Sequence, residues 1–346
     1  MTNSSSTFPV PTFPVLVTGG CGYIGSHAVL ALRDAGWPVV VIDNLTTGFA
    51  WALPADVPLE KGDVGDAVRV AEILAKHSIG AIMHFAGSII VPESVEQPLK
   101  YYRNNTANSR TLIECAVDAG VKHFIFSSTA ATYGIPEVVP VREDGPKLPI
   151  NPYGMSKLMT EHMLADVAAA HAINYCALRY FNVAGADPEG RTGQSTAGAT
   201  HLIKVAVEAA LGKRASVGVY GTDYDTPDGT GVRDYIHVAD LANAHVLALD
   251  KLVADPTQSH IMNAGYSNGF SVTQVLDAVD RVTNMKIVRT VEGRRAGDPD
   301  ALIADNSRIL ATLPWQPRFD DLDMIVTHAL AWERKLGERK LAERRG

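Results

Sequence analysis

Between residues 13 and 181 the chain alternates short β-branched runs with stretches of helical pattern. The runs are Val15–Thr18, Val39–Asp43, 81–85, 123–127 and 175–181. Alternation of this kind implies right-handed crossovers and a parallel sheet. The expected fold is therefore α/β, a Rossmann-like doubly wound parallel sheet.

The turn after the first run narrows the reading. Val15-Leu16-Val17-Thr18 leads into Gly19, Gly22 and Gly25 at G-x-x-G-x-x-G spacing, and a helical segment follows. A strand aims the chain, glycines let the backbone approach a pyrophosphate, and a helix N-terminus offers free N–H groups and a dipole that favour an anion. The second run ends in Asp43, near the distance at which an acid accepts from an adenosine ribose 2′-hydroxyl. No basic cluster follows it where a 2′-phosphate would need one. NAD, not NADP, is the expected cofactor.

A chain of 346 residues, 46% apolar and 20% charged, is long enough for one large or two medium domains. Near Gly185 the rhythm changes, and Gly, Asp, Thr and Pro crowd 185–198 and 221–231. A cofactor-binding domain is expected over 14–183, rejoined by 236–265 through a helix over 236–252 and a short strand over 260–265. A smaller α/β lobe is expected over 184–235 and 266–330. A helix over 98–119 should link the third and fourth strands and stop at Gly120. Residues 1–12 read as a loose tail without the pattern of a signal peptide, and the Lys- and Arg-rich stretch 333–346 as a solvated helical tail.

No apolar run approaches the roughly 20 residues that span a bilayer, so a cytoplasmic protein without membrane contact is expected. A formal charge of -7 argues against a nucleic-acid surface. Cys21, Cys115 and Cys176 are widely spaced and no histidines show metal-ligand spacing, so neither a disulfide framework nor a metal is expected. His84 and His237 read as hydrogen-bonded core residues, and Cys21 as filler.

Tyr153 and Lys157 stand four residues apart, on one face of a helix that Asn151-Pro152 would start. A tyrosine with its ordinary pKa of about 10 is a costly base near pH 7, by roughly 4 kcal/mol, unless cations stabilise its anion. Lys157 and a nicotinamide ring would do so, giving a base able to take a hydroxyl proton while hydride leaves the same carbon. Upstream, Ser127-Ser128-Thr129 leaves the fourth strand where open parallel sheets present ligands.

Several strings together resemble the extended short-chain dehydrogenase/reductases, and within them the UDP-glucose 4-epimerases. They are Thr18-Gly19-Gly20-x-Gly22-Tyr23-Ile24-Gly25-Ser26-His27, Asp43-Asn44-Leu45, His84-Phe85-Ala86-Gly87, Tyr101-Tyr102-x-Asn104-Asn105, Ser127-Ser128, Tyr153-Gly154-x-Ser156-Lys157 and Arg179-Tyr180-Phe181-Asn182. Most telling is Asp228-Gly229-Thr230-Gly231-Val232-Arg233-Asp234-Tyr235-Ile236-His237-Val238.

The resemblance implies Tyr153 as base, Lys157 as its partner on the nicotinamide ribose, and Thr129 at the sugar O4. It implies Gly19, Gly22, Tyr23, Ile24 and Gly25 along the NAD pyrophosphate, Asp43 and Asn44 at the adenosine ribose, and Asp63 and Val64 at the adenine. Phe85, Ala86, Gly87, Asn104, Ser127 and Tyr180 would complete the cofactor cleft. Asn182, His201, Leu202, Tyr220, Arg233, Arg295 and Asp298 would hold the nucleotide of UDP-glucose or UDP-galactose, since a diphosphate needs guanidinium forks. A homodimer through the helices over 98–119 and 153–170 is implied as well.

Three departures matter. Ser88-Ile89-Ile90 stands where some relatives carry a lysine, and His201 where many carry an asparagine. Leu302 falls at the position where a large residue excludes N-acetylated sugars and a small one admits them, which leaves that specificity open. Dehydratase and decarboxylase branches carry an acid just after the Ser/Thr of the active-site strand, where this chain has Ala130-Ala131. A protein that binds NAD without turnover would tolerate loss of Tyr153 or Lys157, and both are present.

Overall fold

The computed structural model describes residues 13–295 and 297–343, so the tail expected over 1–12 and the last residues of the C-terminal stretch lie outside the described part. The chain runs β1 (Val15–Thr18), α1 (Tyr23–Asp34), β2 (Val39–Asp43), β3 (Leu59–Lys61), α2 (Ala67–Lys76), β4 (Ala81–His84), α3 (Val91–Glu96), α4 (Pro98–Tyr101), α5 (Asn108–Asp118), β5 (His123–Thr129), α6 (Pro152–Ala170) and β6 (Asn174–Tyr180). It continues with β7 (Asn182–Ala184), α7 (Leu202–Ala210), β8 (Val217–Tyr220), β9 (Val232–His237), α8 (Val238–Ala254), β10 (His260–Ala264), β11 (Gly269–Ser271), α9 (Val272–Thr283), β12 (Arg289–Glu292), β13 (Ala301–Leu302), α10 (Ser307–Thr312) and α11 (Leu322–Glu343).

Seven strands form one parallel sheet in the order β10-β6-β5-β4-β1-β2-β3. Successive side chains of a strand point to opposite faces, and the core splits accordingly. Val15, Val17, Met83 and Ile125 pack with Ala28 and Leu32 of α1 and Leu241 and Leu249 of α8. Leu16, Ile82, Phe124 and Phe126 pack with Ile73 of α2, Leu112 of α5 and Leu164 of α6. Each such side chain contributes roughly 1.5–3 kcal/mol relative to exposure. The second lobe has its own core, in which Ile203 and Val207 meet Val275, Val279, Ile325 and Leu330.

The order in which strands are added reverses between β1 and β4, which opens a crevice at their carboxyl ends. Both loops that leave these strands converge there. A Cβ on Gly19 would lie 2.8 Å from the Ala86 nitrogen, and Gly19 has φ +67, so only glycine fits the approach.

Four expectations need correction. The helix expected over 98–119 is broken by a π-helical turn at Tyr102–Ala107 between α4 and α5. The turn holds Asn105, whose side chain bonds the Ser88 backbone and whose carbonyl accepts from Thr160 of α6 as well as from Ser109 one turn on. The helix expected from 236 starts at Val238, because Ile236 and His237 complete β9 and the His237 ring caps the Ala239 N–H. Within 266–330, expected in the second lobe, Ile309, Leu313 and Trp315 pack into the core of the main sheet. Finally, the stretch from Glu333 is not a solvated tail at its start: Trp332, Glu333 and Leu336 are buried, and Glu333 takes salt bridges from Lys204 and Lys213. Its charge is answered by residues more than a hundred positions upstream, which composition does not reveal.

Candidate functional site

Gly22 is the N-cap of α1 and has no side chain to cap the helix, so the first-turn N–H groups face the crevice unscreened by a capping oxygen. A Cβ on Gly25 would lie 2.2 Å from the Gly19 carbonyl oxygen, which locks the turn tightly against its own helix. Tyr23 uses its hydroxyl to donate to the Gly185 carbonyl at 2.7 Å, and burial pushes its pKa well up, so what it offers the crevice is backbone. Ile24 packs against the core beside it. A cradle that side chains would fill fits a pyrophosphate.

Asp43 is buried at the end of β2, and its two oxygens accept from the Cys21 and Leu45 amides at 2.9 and 2.7 Å. Each carboxylate oxygen retains acceptor capacity toward a ribose. Asn44 donates to Asp63 at 3.0 Å, and Asp63 also accepts from the Gly65 amide and Asn108. Val64 is buried below them. The Cys21 thiol is buried and pushed up to about 12, first by burial and then by Asp43, so it is inert at neutral pH.

On the other side of the crevice, the Ala86 amide reaches Thr18 Oγ1 at 3.3 Å, and Phe85 lies 4.9 Å from the His245 ring. Gly87 sits between Asn105 and Lys157. Asn104 donates to Ser88 Oγ, while Asn105 exchanges bonds with both the amide and the carbonyl of Ser88. His84 is a satisfied core histidine, bonded to Thr18 and Ser109 at 2.6 and 2.8 Å.

Asn151 accepts from the Gly154 amide and Pro152 opens α6, which sets the register of the Tyr153-Lys157 face. Both side chains are buried against β5. Burial raises the Tyr153 pKa, and a hydrogen bond with Thr129 lowers it in part. Lys157 donates to the Ser127 carbonyl at 2.9 Å and stands 5.0 Å from the centre of the Phe126 ring. Burial brings it down to about 8, against the Glu161 carboxylate, which raises it. The Tyr180 hydroxyl and Ser127 Oγ share a short hydrogen bond. Thr129, Tyr153, Lys157, Ser127 and Tyr180 thus meet at the carboxyl end of β5.

The remaining expected residues lie beyond β6, most of them in the second lobe. Asn182 begins β7, in register with Tyr235 of β9. With His201 and Leu202 at the start of α7 it lines a cleft shared with Gln194 and Trp332. His201 Nδ1 accepts from Gln194 at 2.7 Å. Further along, the Arg295 guanidinium lies 3.8 Å over the Tyr220 ring, and Arg233 pairs with Asp298 at 3.4 Å. Leu302 is level with Arg233 across β13 and β9 and packs toward Ala130, Tyr133 and Phe181. Among the described residues no group of three or more metal-ligating side chains occurs.

The sequence reading missed Glu161 and Arg179 as site residues. Both signals were present: Glu161 extends the Tyr153, Lys157 spacing by another four, and Arg179 is a charge inside a buried strand.

A dinucleotide cradle at the switch point, facing a buried Tyr and Lys one turn apart, defines a Rossmann-fold enzyme of the short-chain dehydrogenase/reductase type. Residues 15–265 match the NAD dependent epimerase/dehydratase family, and the chain belongs to it. It is 58% identical over 322 residues to the UDP-glucose 4-epimerase of Azospirillum brasilense, covering 93% of this chain and 92% of that one. Its fold matches the Brucella ovis UDP-glucose 4-epimerase crystallised with NAD, at TM-score 0.89 and 43% identity over 92% of this chain and 98% of that one. The Bifidobacterium longum UDP-glucose 4-epimerase, solved with NAD+ and UDP, matches at TM-score 0.88 and 36% identity, covering 93% and 98% of the two chains.

Proposed function

We propose that this chain interconverts UDP-glucose and UDP-galactose by reversible oxidation at C4, with Tyr153 as the base and NAD retained between turnovers. The observation that carries this reading is the convergence of Tyr153, Lys157 and Thr129 on one edge of β5, facing the glycine cradle.

Gly19, Gly22 and Gly25 would hold the pyrophosphate of NAD, Asp43 its adenosine ribose, and Lys157 its nicotinamide ribose. When bound there, NAD would supply the acceptor and later donor of the C4 hydride. Tyr153 takes the O4 proton while Thr129 orients that oxygen. A buried phenol resists ionisation, which the Thr129 hydrogen bond only partly offsets, so the tyrosinate would depend on cations brought to it, among them the ammonium of Lys157 one helical turn away. With its pKa brought to about 8, Lys157 still carries that charge at pH 7. Inversion requires the 4-keto sugar to turn while the nucleotide stays. Guanidinium contacts at Arg233 and Arg295 suit the fixed end, and half-buried Leu302 suits the mobile one. The turn Ala130–Thr132 after β5 supplies no carboxylate, which disfavours elimination of water.

The buried thiols Cys21, Cys115 and Cys176 are unpaired and accord with a reducing, cytoplasmic setting. Leu99 and Met159, exposed on α4 and α6 at 80% and 39%, support a homodimer through this face. No helix among the described residues is long and apolar enough to cross a membrane.

The test is incubation of purified protein with UDP-glucose and no added NAD, with UDP-N-acetylglucosamine in parallel. UDP-galactose is the expected product. If neither epimer forms even with NAD supplied, the reading fails.

A further inference from the structure

Tyr153, Lys157 and Glu161 succeed one another at intervals of four along α6, and all three side chains are buried against β5. An aspartate or glutamate four residues from a lysine on a helix lies within reach of an ion pair with it. Here the two do not pair. Arg179 of β6 takes both Glu161 oxygens in a fork, Nε to Oε1 at 2.9 Å and Nη2 to Oε2 at 2.5 Å, and Ser128 Oγ makes a short bond to Oε1. Lys157 is left donating to the Ser127 carbonyl, one helical turn from the tyrosine.

The fork is itself fixed. Arg179 is 1% exposed, lies 5.0 Å from the centre of the Tyr133 ring and donates to the Tyr133 hydroxyl at 3.0 Å. Tyr133 donates to Asn263 at 2.6 Å, and Asn263 reaches Glu143 through its amide and the Val141 carbonyl through its side chain. Such a buried network is costly to desolvate and needs a reason to persist.

We propose that Arg179 is a positioning residue for the reaction: by occupying Glu161 it keeps that carboxylate from capturing Lys157, and so keeps the ammonium beside Tyr153. This rests on the assignment of Tyr153 as base. Without the fork, Glu161 draws Lys157 one turn down the helix and Tyr153 loses the neighbouring charge. The other titratable or charged groups facing this line are His84 on β4, Tyr180 and Tyr175 on β6, Tyr101 on α4, Glu93 on α3 where Lys100 neutralises it, and Glu143 and Lys147 before α6. Arg179 binds both Glu161 oxygens, whereas Lys147 and Tyr175 feel the Glu161 charge without a hydrogen bond to it.

The experiment compares holoenzyme of wild type, R179M, R179M/E161Q and R179K by kcat and KM for UDP-glucose across pH. R179M should lower kcat about 100-fold with KM within threefold, and move the acidic limb of kcat upward by about one pH unit, because a phenol stripped of its cation ionises at higher pH. R179M/E161Q has no carboxylate to capture Lys157, and its limb should return to within a few tenths of wild type. A merely structural role would lower kcat without moving the limb. If R179M does not fold, R179K serves: a shorter-reaching ammonium lacks the planar fork that fixes both oxygens, and the limb should rise by a fraction of a unit. An unmoved limb in the folded single variants, or a limb still displaced in the double variant, overturns the proposal. Y153F run alongside separates the two claims, since an active Y153F removes the base assignment itself.

Discussion

Lys157, Glu161 and Arg179 keep only 3, 3 and 1% of their surface, whereas Tyr220 keeps 41% and the Asp298 side chain 40%. The chemical half of the site is sealed into a seven-stranded sheet, with every charge answered by a named partner. The proposed recognition half consists of two arginines, Arg233 on β9 paired with a half-exposed carboxylate and Arg295 on a loop over the ring that ends β8. The contrast matches what the proposed reaction asks for. A proton and a hydride must be placed to fractions of an ångström, while a nucleotide must enter, be gripped and leave.

If the halves divide the work in this way, damage to them should separate in kinetics. The largest effect is expected from Tyr153→Phe. Turnover should fall by roughly a thousandfold, within the range for a lost general base, while NAD released on denaturation stays at wild-type stoichiometry. Retained turnover would merge the two halves again. Arg233→Met should act on the other side, raising KM for UDP-glucose about 10- to 100-fold with kcat within a few-fold, as steady-state kinetics would reveal. A fall in kcat alone would mean that recognition and chemistry are not divided.

A third difference is acid sensitivity. His27, His84 and His245 are buried in the sheet half and His237 at its border, with pKa values brought down to about 4, 3, 4 and 3, in each case first by burial. In the unfolded chain each takes a proton below about 6.5. Folded, each stays neutral well below that. Their contribution is therefore complete above pH 6.5 and is lost as pH falls toward 3–4, at up to about 1.4 kcal/mol per pH unit per histidine. Urea titrations between pH 7 and 5 on wild type and His84→Asn should show a slope shallower by about that amount in the variant. An unchanged slope would relocate the acid sensitivity. The smallest effect is expected at the outer seam, where Arg339 lies 3.9 Å over the Trp51 ring and Trp51 stacks on Trp332 at 6.2 Å. Trp51→Ala should cost about 1 kcal/mol in chemical unfolding with kcat unchanged.

Legibility in the sequence followed the same division. β1, β2, β4 and β5 are apolar runs with β-branched residues and β6 is an apolar and aromatic one, all of them local patterns, so the parallel sheet and its glycine turn could be read directly. β3 is only Leu-Glu-Lys at the sheet's edge and carries no such pattern. The π-helical turn at Tyr102–Ala107 hides inside a sequence with good helical periodicity, and only the polar Asn104-Asn105 pair interrupts it. Tyr153 and Lys157 were legible because four-residue spacing is a local fact. The Glu161–Arg179 fork joins positions 18 apart, and the Lys204–Glu333 pair positions 129 apart, which no local pattern records.

β10, contributed by the chain after it has built part of the second lobe, covers the outer side of β6 along five register pairs from Cys176 to Tyr180. A fragment ending near residue 183 would lack that cover. Its last strand would present a seven-residue row of unsatisfied backbone groups, rich in aromatic and apolar side chains, to any other copy in solution. Excised from its companion, the half that reads most clearly as an independent unit would be a nucleus for self-association, so the strand interleaving protects solubility as much as it joins two lobes.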